Sequence, residues 1–589
     1  MILKALADYY DRLADDPSVD VAPPGFERKA VDFAVVIGAE GTFQNLRNLR
    51  EGTGKNRQGA KRLIPRSVKR AAGIASNLLW DTAPYALGIA LPEKNKDLER
   101  LQERAVEQHK AFIDRVLDLA ADCDDHGLKA LLIFLKNDGQ DAVIAHPEWP
   151  SVEADGGIIS FALDGDAGLI CQRPAVVSVL KQRSRPEGKR QACAISGLLD
   201  VPVRLNTAIK GVWGAQSSGA NIVSFNLGAF CSYGKEQGYN VPIGSQAEFA
   251  YTTALNYLLA SERQRFQVGD TSTVFWAKES CDLESDLPAY LNPKKGEESV
   301  SYDKIRSLLG AAKTGIPPQE GDIAFYVLGL APNASRLSVR FWYNGNVKDI
   351  KERMVQHFAD IEMIRAPHDP EFASLFQLLL STATEHKADN IPPNLGGDFM
   401  RAVLTGGAYP RTLLANAIRR CKAVQEIDYQ RASLIKGVLV RQARLTRATT
   451  KEVGVSLDRE FCNMGYVLGR LFAVLERIQE QAQGRGLNKT IRDTYFGAAA
   501  SSPLVTFKRL QDLAIHHLAK IRNGGKNTTW LERLQQEVVG LIPPQGVPSI
   551  LGIEDQGRFA IGYYHQRQDF FTKKDTGEVE TTNEGEDAV

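Results

Sequence analysis

The sequence has no run of about 18 apolar residues, which a membrane-spanning helix requires. Its N-terminus, "MILKALADYYDRLADD", carries acids where a secretory signal has a basic segment followed by an apolar one. The seven cysteines among 589 residues are scattered and form no CxxC pair. We therefore expect a cytoplasmic protein with no disulfide framework and no zinc pair, whose cysteines are buried free thiols.

The usual catalytic signatures are missing as well. There is no GxxxxGK[ST] phosphate loop and no GxSxG elbow. Neighbouring side chains on a helix point about 100° apart, so the adjacent pair His516-His517 is poorly placed to share one metal ion. We expect no enzymatic activity and no metal or other cofactor. The enzyme alternative is a metal-dependent nuclease that uses His368 and Asp369.

The hydrophobic pattern changes character near residue 348. Before it, short apolar or alternating runs such as "VDFAVVIG", "LKALLIFL", "GIISFAL", "AVVSVL", "DIAFYVLGL" and "RLSVRFWY" indicate many strands, mixed with helices over 96–122 and 244–262. After it, apolar residues recur at spacings of three and four, which is typical of helices. The pattern predicts an α+β fold in which a strand-rich N-terminal region precedes an all-helical C-terminal bundle.

The same change suggests a domain organisation. We expect a mixed α/β region over 1–347, with one or two subdomains, that binds nucleic acid and reads a motif. A helical basic linker domain follows over 348–460, and a C-terminal helical bundle over 461–571 looks able to fold by itself. The last segment, 572–589, lacks large apolar groups and is predicted to be a disordered acidic tail.

Positive charge is locally concentrated although the net charge is only +1. Residues 47–70 hold nine Lys or Arg against one acid, and residues 401–451 hold eleven against two. Such runs are either solvated faces or contacts to a phosphate backbone, where each neutralised phosphate releases counterions. From the first run we select as duplex contacts Lys55, Arg57, Lys61, Arg62, Lys69 and Arg70.

A small, polar, glycine-rich strip, "GVWGAQSSGANIVSFN", occupies residues 211–226. Glycines allow backbone amides to approach a ligand closely, and Gln, Ser and Asn side chains offer donors and acceptors that suit base edges. The strip is either a bent surface loop or a base-reading loop. The base-reading hypothesis assigns contacts to Gly214, Gln216, Ser217, Ser218 and Asn221, whereas Trp213 is expected in the core.

Several long blocks together carry a family resemblance. They are "MILKALADYYDRL", "PRSVKRAAGIASNLLWDTAPYALGI", "AIKGVWGAQSSGANIVSFN", "YGKEQGYNVPIG", "GLAPNASRLSVRFW" and "NLGGDFMRAVLTGGAYPRTLLANAIRR". Across essentially its whole length, the chain resembles the large subunit of the type I-C CRISPR Cascade surveillance complex.

The resemblance implies a non-catalytic subunit of a guide-RNA-directed antiviral complex. Such a subunit sits beside the protein that holds the RNA handle and contacts the backbone subunits. It reads the protospacer-adjacent motif in double-stranded target DNA, helps to open the duplex and holds the displaced strand. It also offers a docking surface for the helicase-nuclease recruited after R-loop formation. Asn77, in the second block, joins the expected DNA contacts on this basis.

The C-terminal bundle has two implied roles. Its cations would line a path for the displaced strand or its backbone; they are Arg485, Lys489, Arg492, Lys508, Arg509, Lys520, Arg522 and Lys526. Relatives are thought to supply the small subunit by starting translation inside the large-subunit message, and Met464 is the start expected here, with Val453 and Val455 as other candidates.

Two points stay open at this stage. Arg336 and Arg340 lie on one strand face and either grip phosphates or pair with buried acids. A purely architectural scaffold without DNA contacts is a further alternative. Neither the identity of the adjacent motif nor the division of the cations between RNA and DNA follows from the sequence.

Overall fold

The computed structural model describes residues 1–16, 18–19, 21–52, 57–68, 73–92, 97–137, 139–184, 187–293, 296–314, 321–484 and 489–571. Helix accounts for 51% of the chain and strand for 14%, with the sheets in the N-terminal part and helices in the C-terminal part. The predicted α+β class is confirmed.

The chain forms two compact units. The first comprises Met1–Thr207 and Val223–Tyr257, and the second comprises Ala208–Ile222 and Leu258–Val589. The three regions expected from the sequence, 1–347, 348–460 and 461–571, stay a prediction about independent folding. The predicted disordered tail, 572–589, lies outside the described residues.

The first unit contains three small sheets and helices that pack on them. Its helices are α1 (Ile2–Asp15), α2 (Ala83–Ala86), α3 (Leu98–Asp122), α4 (His126–Lys136), α5 (Gln140–Ile144), α6 (Trp149–Asp155) and α7 (Pro174–Arg183), and α8 (Ser245–Ala260) begins in this unit. Its strands are β1 (Phe26–Val31), β2 (Phe33–Ile37), β3 (Phe43–Asn48), β4 (Arg50–Glu51), β5 (Gln58–Pro65), β6 (Trp80–Asp81), β7 (Ile159–Leu163), β8 (Gln191–Ala192) and β9 (Leu199–Asp200).

Strand order in these sheets is β3-β2-β7-β6, β1-β5-β4 and β8-β9. Strand β2 pairs in parallel with β7, and every residue of β2 is buried. Such a strand reads as a continuous apolar run because both of its faces are covered. The core of this unit joins Phe33 and Phe161 of these strands to Phe112 and Phe134 of α3 and α4.

The second unit contains one antiparallel sheet and a large helical assembly. The sheet has the order β10 (Arg265–Val268), β11 (Thr271–Ala277), β12 (Ala324–Asn333) and β13 (Arg336–Asn346). The helices are α9 (Leu283–Leu291), α10 (Glu298–Thr314), α11 (Val347–Ile361), α12 (Leu375–Leu380), α13 (Leu395–Thr405), α14 (Arg411–Val424), α15 (Tyr429–Leu445), α16 (Met464–Gln483), α17 (Ile491–Ser501), α18 (Pro503–Asn523), α19 (Thr529–Val539) and α20 (Ile553–Phe571).

Two apolar runs that we predicted to be strands are helices. "LKALLIFL" lies in α4, where the Asp125 carboxylate caps the helix by accepting a hydrogen bond from the Leu128 amide at 3.1 Å. "AVVSVL" lies in α7, which Pro174 begins. Both signals favour helix starts, and they outweigh an apolar run that by itself fits either structure.

Helices α16 and α20 approach so closely that only glycine fits at their crossing. A Cβ atom on Gly469 would lie 2.0 Å from the Phe559 carbonyl oxygen, and one on Gly562 would lie 2.2 Å from the Tyr466 carbonyl oxygen. Gly465 is equally tight against Asp555. Contact between these two helices is therefore made through their backbones, which fixes α20 in the centre of the C-terminal assembly.

Two expectations about composition can be compared with the fold. Cys123, Cys171, Cys193, Cys281 and Cys421 are buried free thiols as predicted, but Cys231 and Cys462 are exposed, so that prediction is wrong for these two. Among the described residues, no helix is both long and apolar enough to cross a membrane.

Candidate nucleic-acid interface

The glycine-rich strip forms a closed loop beside the β12–β13 hairpin. Ile209 and Ala220 exchange two main-chain hydrogen bonds of 2.9 Å, which join the two ends of the loop. Asn221 then pairs in parallel with Arg336: its amide donates to the Ser335 carbonyl oxygen at 3.1 Å, and its carbonyl oxygen accepts from the Leu337 amide at 2.9 Å. The loop is thus attached to the sheet of its own unit.

Glycine is required at three places in this loop. Gly211, Gly214 and Gly219 have φ values of 87°, 76° and 95°, a backbone conformation that residues with a side chain rarely adopt. At Gly219 a Cβ atom would also lie 2.8 Å from the Ile209 carbonyl oxygen, against the bond that closes the loop. The glycines therefore set the path of the backbone, and this path decides which side chains point outward.

The tip of the loop presents polar groups and one large aromatic ring. Gln216, Ser217 and Ser218 are exposed, and within the described part of the chain their side chains have no hydrogen-bond partner. Trp213 is 56% exposed, so its expected place in the core is wrong. Its amide donates to the Ser272 hydroxyl at 3.0 Å, and that hydroxyl donates to Gln267 at 3.0 Å. The backbone that carries the ring is thereby held in place.

Asn221 differs from the other residues that we assigned to the strip. It lies at the base of the loop and is half-buried, and its Oδ1 atom is buried with no donor among the described residues. Gly214, Gln216, Ser217 and Ser218 are therefore brought together at the tip, whereas Asn221 is placed where it supports the loop.

In the described part of the first basic run, Arg50 lies on β4 and Lys61 and Arg62 lie on β5, while Arg57 directly precedes β5. Lys55, Lys69 and Arg70 lie outside the described residues. Arg57, Lys61 and Arg62 are exposed, and their side chains have no ion-pair or hydrogen-bond partner in the described ranges. We call these three exposed cations, on β5 or directly before it, the β5 cations.

The β5 cations have a neighbour that sequence reasoning missed. In the pairing of β1 with β5, Arg28 lies opposite Leu63 and Lys29 lies opposite Arg62. Arg28 is therefore offset from Arg62 by one position. Burial and the positive charge of Arg62 lower the pKa of Arg28. A bound anion would relieve this repulsion between like charges. The sequence signal was the pair of cations Arg28 and Lys29 in β1, "FERKAV". This strand pairs with β5, which carries part of the longer basic run.

Other cations of the same run serve the fold. The Arg50 guanidinium bonds to Asp155 at 2.6 Å, lies 3.5 Å from Asp32 and covers the Phe33 ring at 4.4 Å. Arg66 donates to the Thr207 hydroxyl and lies 5.9 Å from the Phe249 ring. A charge run read as one unit therefore divides into cations that pair within the protein and cations that face solvent.

Asn77, expected to contact DNA, is buried. Its side-chain Oδ1 accepts a hydrogen bond from the Val68 main-chain amide at 3.0 Å, and its main-chain amide donates to the Asp81 carboxylate at 2.8 Å. In this structure the side chain supports the backbone between β5 and β6. A direct contact to DNA stays a prediction.

Of the two strand arginines, Arg340 takes the acid-paired alternative, with its guanidinium 2.9 Å from Asp270. The main chain of Arg336 pairs with Asn221, as described above. Arg336 thus lies at the base of the glycine-rich loop, whereas Arg340 lies further along β13, at a β-bulge between Val339 and Phe341.

The second basic run, 401–451, contains a buried charge cluster. Asp360 of α11 is 1% exposed and binds two guanidinium groups of α15, Arg441 at 2.8 Å and Arg444 at 2.5 Å. Lys436 donates to the Asp360 carbonyl oxygen at 2.9 Å, and burial lowers its pKa. A solvated or phosphate-binding face is wrong for Arg441 and Lys436, because both are buried inside the second unit and bind Asp360. Arg441 Nη2 is buried with no hydrogen-bond partner among the described residues.

The predicted strand path in the C-terminal bundle is only partly open. Arg492 lies 3.7 Å from the buried carboxylate of Glu476, Arg509 lies 5.5 Å from the Tyr495 ring, and Arg522 lies 3.9 Å from Glu532. Arg485 lies outside the described residues. Four cations are exposed and have no ion-pair or hydrogen-bond partner in the described chain: Lys489, Lys508, Lys520 and Lys526.

Helical geometry shows which of these cations share a face. On α18, Lys508 and Arg522 lie within about 40° of each other around the axis and about 21 Å apart along it. Arg509 and Lys520 form a second line about 100° away. The cations thus cover one broad side of α18.

A pocket that sequence reasoning missed lies between α16, α19 and α20. It has a volume of about 640 Å³, and its lining includes Arg459, Arg477, Trp530 and Arg533. Trp530 is 43% exposed, and Arg533 is exposed with no side-chain partner among the described residues. The sequence signal was the tryptophan in "TTWLERL", which the helical pattern alone assigns to packing.

The residues of the nuclease alternative do not gather a metal site. The His368 side chain is 85% exposed and lies 4.0 Å from Asp369, whose carboxylate also accepts from the Ala366 amide at 3.0 Å. In the described ranges, no group of three or more His, Cys, Asp or Glu side chains is placed to hold a metal ion.

Comparison with known proteins bears on these surfaces. The sequence pattern of one family, described as CRISPR-associated protein (Cas_Csd1), matches residues 6–571. The chain belongs to that family. As a Cas_Csd1 protein it is CRISPR-associated and a subunit of a multi-subunit effector complex, and the match supports the resemblance to a Cascade large subunit. No curated protein matches the chain.

Proposed function

We propose that this Cas_Csd1 protein is the non-catalytic large subunit of a type I-C Cascade that recognises the protospacer-adjacent motif in duplex DNA. It then helps to open the duplex, holds the displaced strand and offers a docking surface to the helicase-nuclease. The observation that carries the proposal is the loop closed by Ile209 and Ala220. Its polar tip has no side-chain partner among the residues that the structure describes, and it carries an exposed tryptophan on a fixed backbone.

The loop tip has the chemistry that reading base edges needs. Gln216 offers both a donor and an acceptor, and the two serine hydroxyls can do either. Such groups suit the minor groove, whose pattern distinguishes mainly A·T from G·C pairs. Because the loop is held by its own hydrogen bonds and by Ser272, little conformational entropy is lost when it binds.

The Trp213 ring adds a means of opening the duplex. Large side chains inserted between base steps unstack them and kink the duplex, at a cost of a few kcal/mol per step. An exposed indole on a fixed backbone can occupy the space of a displaced base and stack on its neighbour. We assign this role to Trp213 in place of the core role expected from the sequence.

General affinity would come from the exposed cations. Arg57, Lys61 and Arg62 offer phosphate contacts that carry no sequence information but orient the duplex. On the C-terminal bundle, Lys508 and Lys520 offer similar contacts to the displaced strand. Trp530 and Arg533 add a stacking surface and a cation in the pocket at α19.

The proposal also assigns partners. The guide RNA with its handle-binding subunit, the backbone subunits and copies of a small subunit from internal translation would surround this chain. The double-stranded target and, after R-loop formation, the helicase-nuclease complete the set.

The proposal assigns no catalytic role to His368 and Asp369. The Asp369 carboxylate accepts a hydrogen bond from the Ala366 amide, and the His368 side chain is exposed.

The test is a selection of bound duplexes from a library with randomised bases beside the guide match, using the assembled complex. Enrichment of a short motif, lost with Gln216→Ala/Ser217→Ala/Ser218→Ala, is the expected result. Binding without any motif would favour the architectural alternative. Metal-dependent cutting by the purified chain, abolished by His368→Ala, would favour the nuclease alternative.

A further inference from the structure

The acids that line the pocket at α19 are already paired with arginines. The lining includes two carboxylates, Glu537 and Asp569. Arg459 lies 3.3 Å from the first and 3.6 Å from the second. The fully buried Arg470 lies a further 3.3 Å from Glu537. The carboxylates of the pocket are therefore used within the second unit, and they leave its other cations uncompensated.

Three cations at the pocket are less fully paired. Arg533 is exposed and has no side-chain partner among the described residues. Arg477 donates from Nη1 to Glu480 at 3.1 Å, but its Nε atom is buried without an acceptor in the described part of the chain. Lys526, exposed and also without a partner in the described ranges, directly precedes Asn527 of the lining. Because a buried donor without an acceptor costs free energy, this arrangement favours an anionic occupant.

An acidic segment begins at the edge of the same pocket. Helix α20 ends at Phe571, and Asp569 and Phe570 of its last turn line the pocket. Residues 572–589 follow, with six acids against two lysines. The acids are Asp575, Glu578, Glu580, Glu584, Glu586 and Asp587. The family match ends at residue 571, so membership of the family implies nothing about this segment.

The position of the segment makes even a weak attraction sufficient. An extended residue spans at most about 3.6 Å, so Asp575 reaches up to about 14 Å from Phe571 and the later acids reach further. Attachment at the edge of the pocket gives these acids an effective concentration in the mM range. A dissociation constant of about 1 mM would then fill the pocket half of the time. Single exposed ion pairs are weak, but several of them on a tethered segment reach this level.

We propose that the acidic segment 572–589 docks in the pocket at α19, with its carboxylates on Arg477, Lys526 and Arg533 and its chain over the Trp530 ring. That ring is 43% exposed and is covered in the docked state. Guanidinium groups bind carboxylates and phosphates with similar geometry. The segment therefore competes with a single strand for the pocket. The docking involves this chain alone, whereas the competition rests on the proposed function.

The first measurement is ¹⁹F NMR of the full chain labelled with 5-fluorotryptophan. The unchanged protein is compared with a neutral-tail variant, in which each acid of the segment becomes its amide: Asp575→Asn/Glu578→Gln/Glu580→Gln/Glu584→Gln/Glu586→Gln/Asp587→Asn. Trp530→Phe assigns the resonance. We expect the Trp530 resonance to differ between the two proteins at about 0.1 M salt and to coincide at about 1 M, where the screening length falls to about 3 Å.

Trp213 is the internal control, because its exposed ring lies in the same unit and away from α19. Its resonance should be the same in both proteins. Coincident Trp530 resonances at about 0.1 M salt would overturn the proposal. A difference that about 1 M salt leaves in place would overturn docking by charge as well.

The second measurement is the affinity of the isolated full chain for a thymidine oligonucleotide at low salt. Since the docked segment removes part of the binding-competent population, the neutral-tail variant should bind about three- to tenfold more tightly. Lys526→Gln/Arg533→Gln removes two exposed cations at the pocket, and in this background neutralising the tail should give no gain. An equal gain in both backgrounds would mean that the segment repels DNA only through net charge, and it would overturn the proposal. No oligonucleotide binding by any variant would contradict the proposed function, while the Trp530 resonance would still decide the docking.

Discussion

The carbonyl oxygen of Asn221 accepts a hydrogen bond from the amide of Leu337 at 2.9 Å, which ties the base of the glycine-rich loop to β13. Directly before Asn221, Ala220 pairs with Ile209 and so joins the two ends of the loop. Substitutions at the exposed tip should therefore change what the loop contacts without changing where it lies. Substitutions at glycines whose backbone conformation excludes a side chain should displace the whole tip.

The first prediction concerns the backbone path. Gly219→Ala places a Cβ atom 2.8 Å from the Ile209 carbonyl oxygen at a φ of 95°, so the loop must shift. We expect the chain to fold but to lose about 1–3 kcal/mol of discrimination between duplexes with the selected and a scrambled motif. Competition binding measures this difference. Gly497→Ala, where no atom lies within 4 Å of the added Cβ, is the control and should discriminate normally.

The second prediction concerns Trp213. Since its ring is 56% exposed, Trp213→Ala should change the free energy of unfolding by less than about 0.5 kcal/mol. Opening of the first base pair beside the motif should nevertheless weaken. The fluorescence of 2-aminopurine at that position, which rises on unstacking, reports it directly. Trp213→Phe should retain most of the signal, and equal signals from the alanine variant and the unchanged protein would refute the stacking role.

The third prediction concerns the β5 cations. Replacing Arg57, Lys61 and Arg62 with Ala should weaken binding to every duplex alike and reduce the slope of log K against log salt by about 0.9 per lost contact. A salt titration of the isolated chain measures the slope. Lys110→Ala/Lys136→Ala, which removes two exposed cations from α3 and α4, should leave it unaltered. A constant slope in the triple variant would mean that these cations are merely solvated.

The sequence predicted most of the regular structure that carries the interface. Alternating or continuous apolar runs identified β2, β7, β12 and β13, and helical spacing identified α3, α8, α14, α15, α16 and α18. It missed α20 as an element, because nearly all sides of this helix are buried and Gly557, Phe559 and Tyr563 leave no apolar stripe to recognise. A stripe is visible only where one face of a helix meets water.

The candidate site was less predictable, for a related reason. Spacing indicates what a residue offers but not whether another residue already uses it. Arg57 and Arg441 look alike in the sequence, yet Arg57 faces solvent and Arg441 is buried against Asp360, which lies 81 positions earlier in the chain. Trp213 was expected inside because large aromatic rings usually are. Its ring is exposed, and its main-chain amide donates to the hydroxyl of Ser272, 59 positions later in the chain.

The fourth prediction concerns pH. Burial lowers the pKa of His357 to about 3 and that of His565 to about 4, with nearby cations adding to both shifts. In the unfolded chain both groups titrate near 6.5. The folded state therefore binds fewer protons, so its stability is full above about pH 6.5 and falls as the pH drops toward the folded values.

Each histidine should contribute about 1.4 kcal/mol per pH unit to that fall. His565→Gln removes one contribution. We expect its free energy of unfolding, measured by urea titration, to depend less steeply on pH between 6.5 and 4.5, by about that amount. His368→Gln, at an 85% exposed position, is the control and should keep the original slope. Identical slopes in all three proteins would show that His565 takes up protons alike in the folded and unfolded states, which would contradict the lowered pKa of this ring.

The fifth prediction concerns a second product of the same gene, beginning at Met464. A chain that starts there keeps α16 and α20, whose close contact at Gly469 and Gly562 needs nothing from the preceding sequence. It loses the Asn463 side chain that caps α16 by accepting from the Tyr466 amide at 3.3 Å, at a cost of about 1 kcal/mol. It also exposes the Tyr564 hydroxyl, which in the full chain donates to the Ile364 carbonyl oxygen at 2.8 Å.

These losses predict a product that folds but is stable chiefly when another subunit covers α20. Expression of the intact gene should therefore yield Met464–Val589 in more than one copy per assembly, and little of it free. Intact-mass analysis of the purified complex identifies it.

Met464→Leu removes the start codon while preserving an apolar side chain, so the full-length chain should persist and the short one should disappear. If a short product survives, synonymous changes at the Val453 and Val455 codons identify its start, and a chain from either would retain the Asn463 cap. Detection of only the full-length chain from the unaltered message would refute internal translation, because every other feature of the bundle is compatible with its being the last part of a single chain.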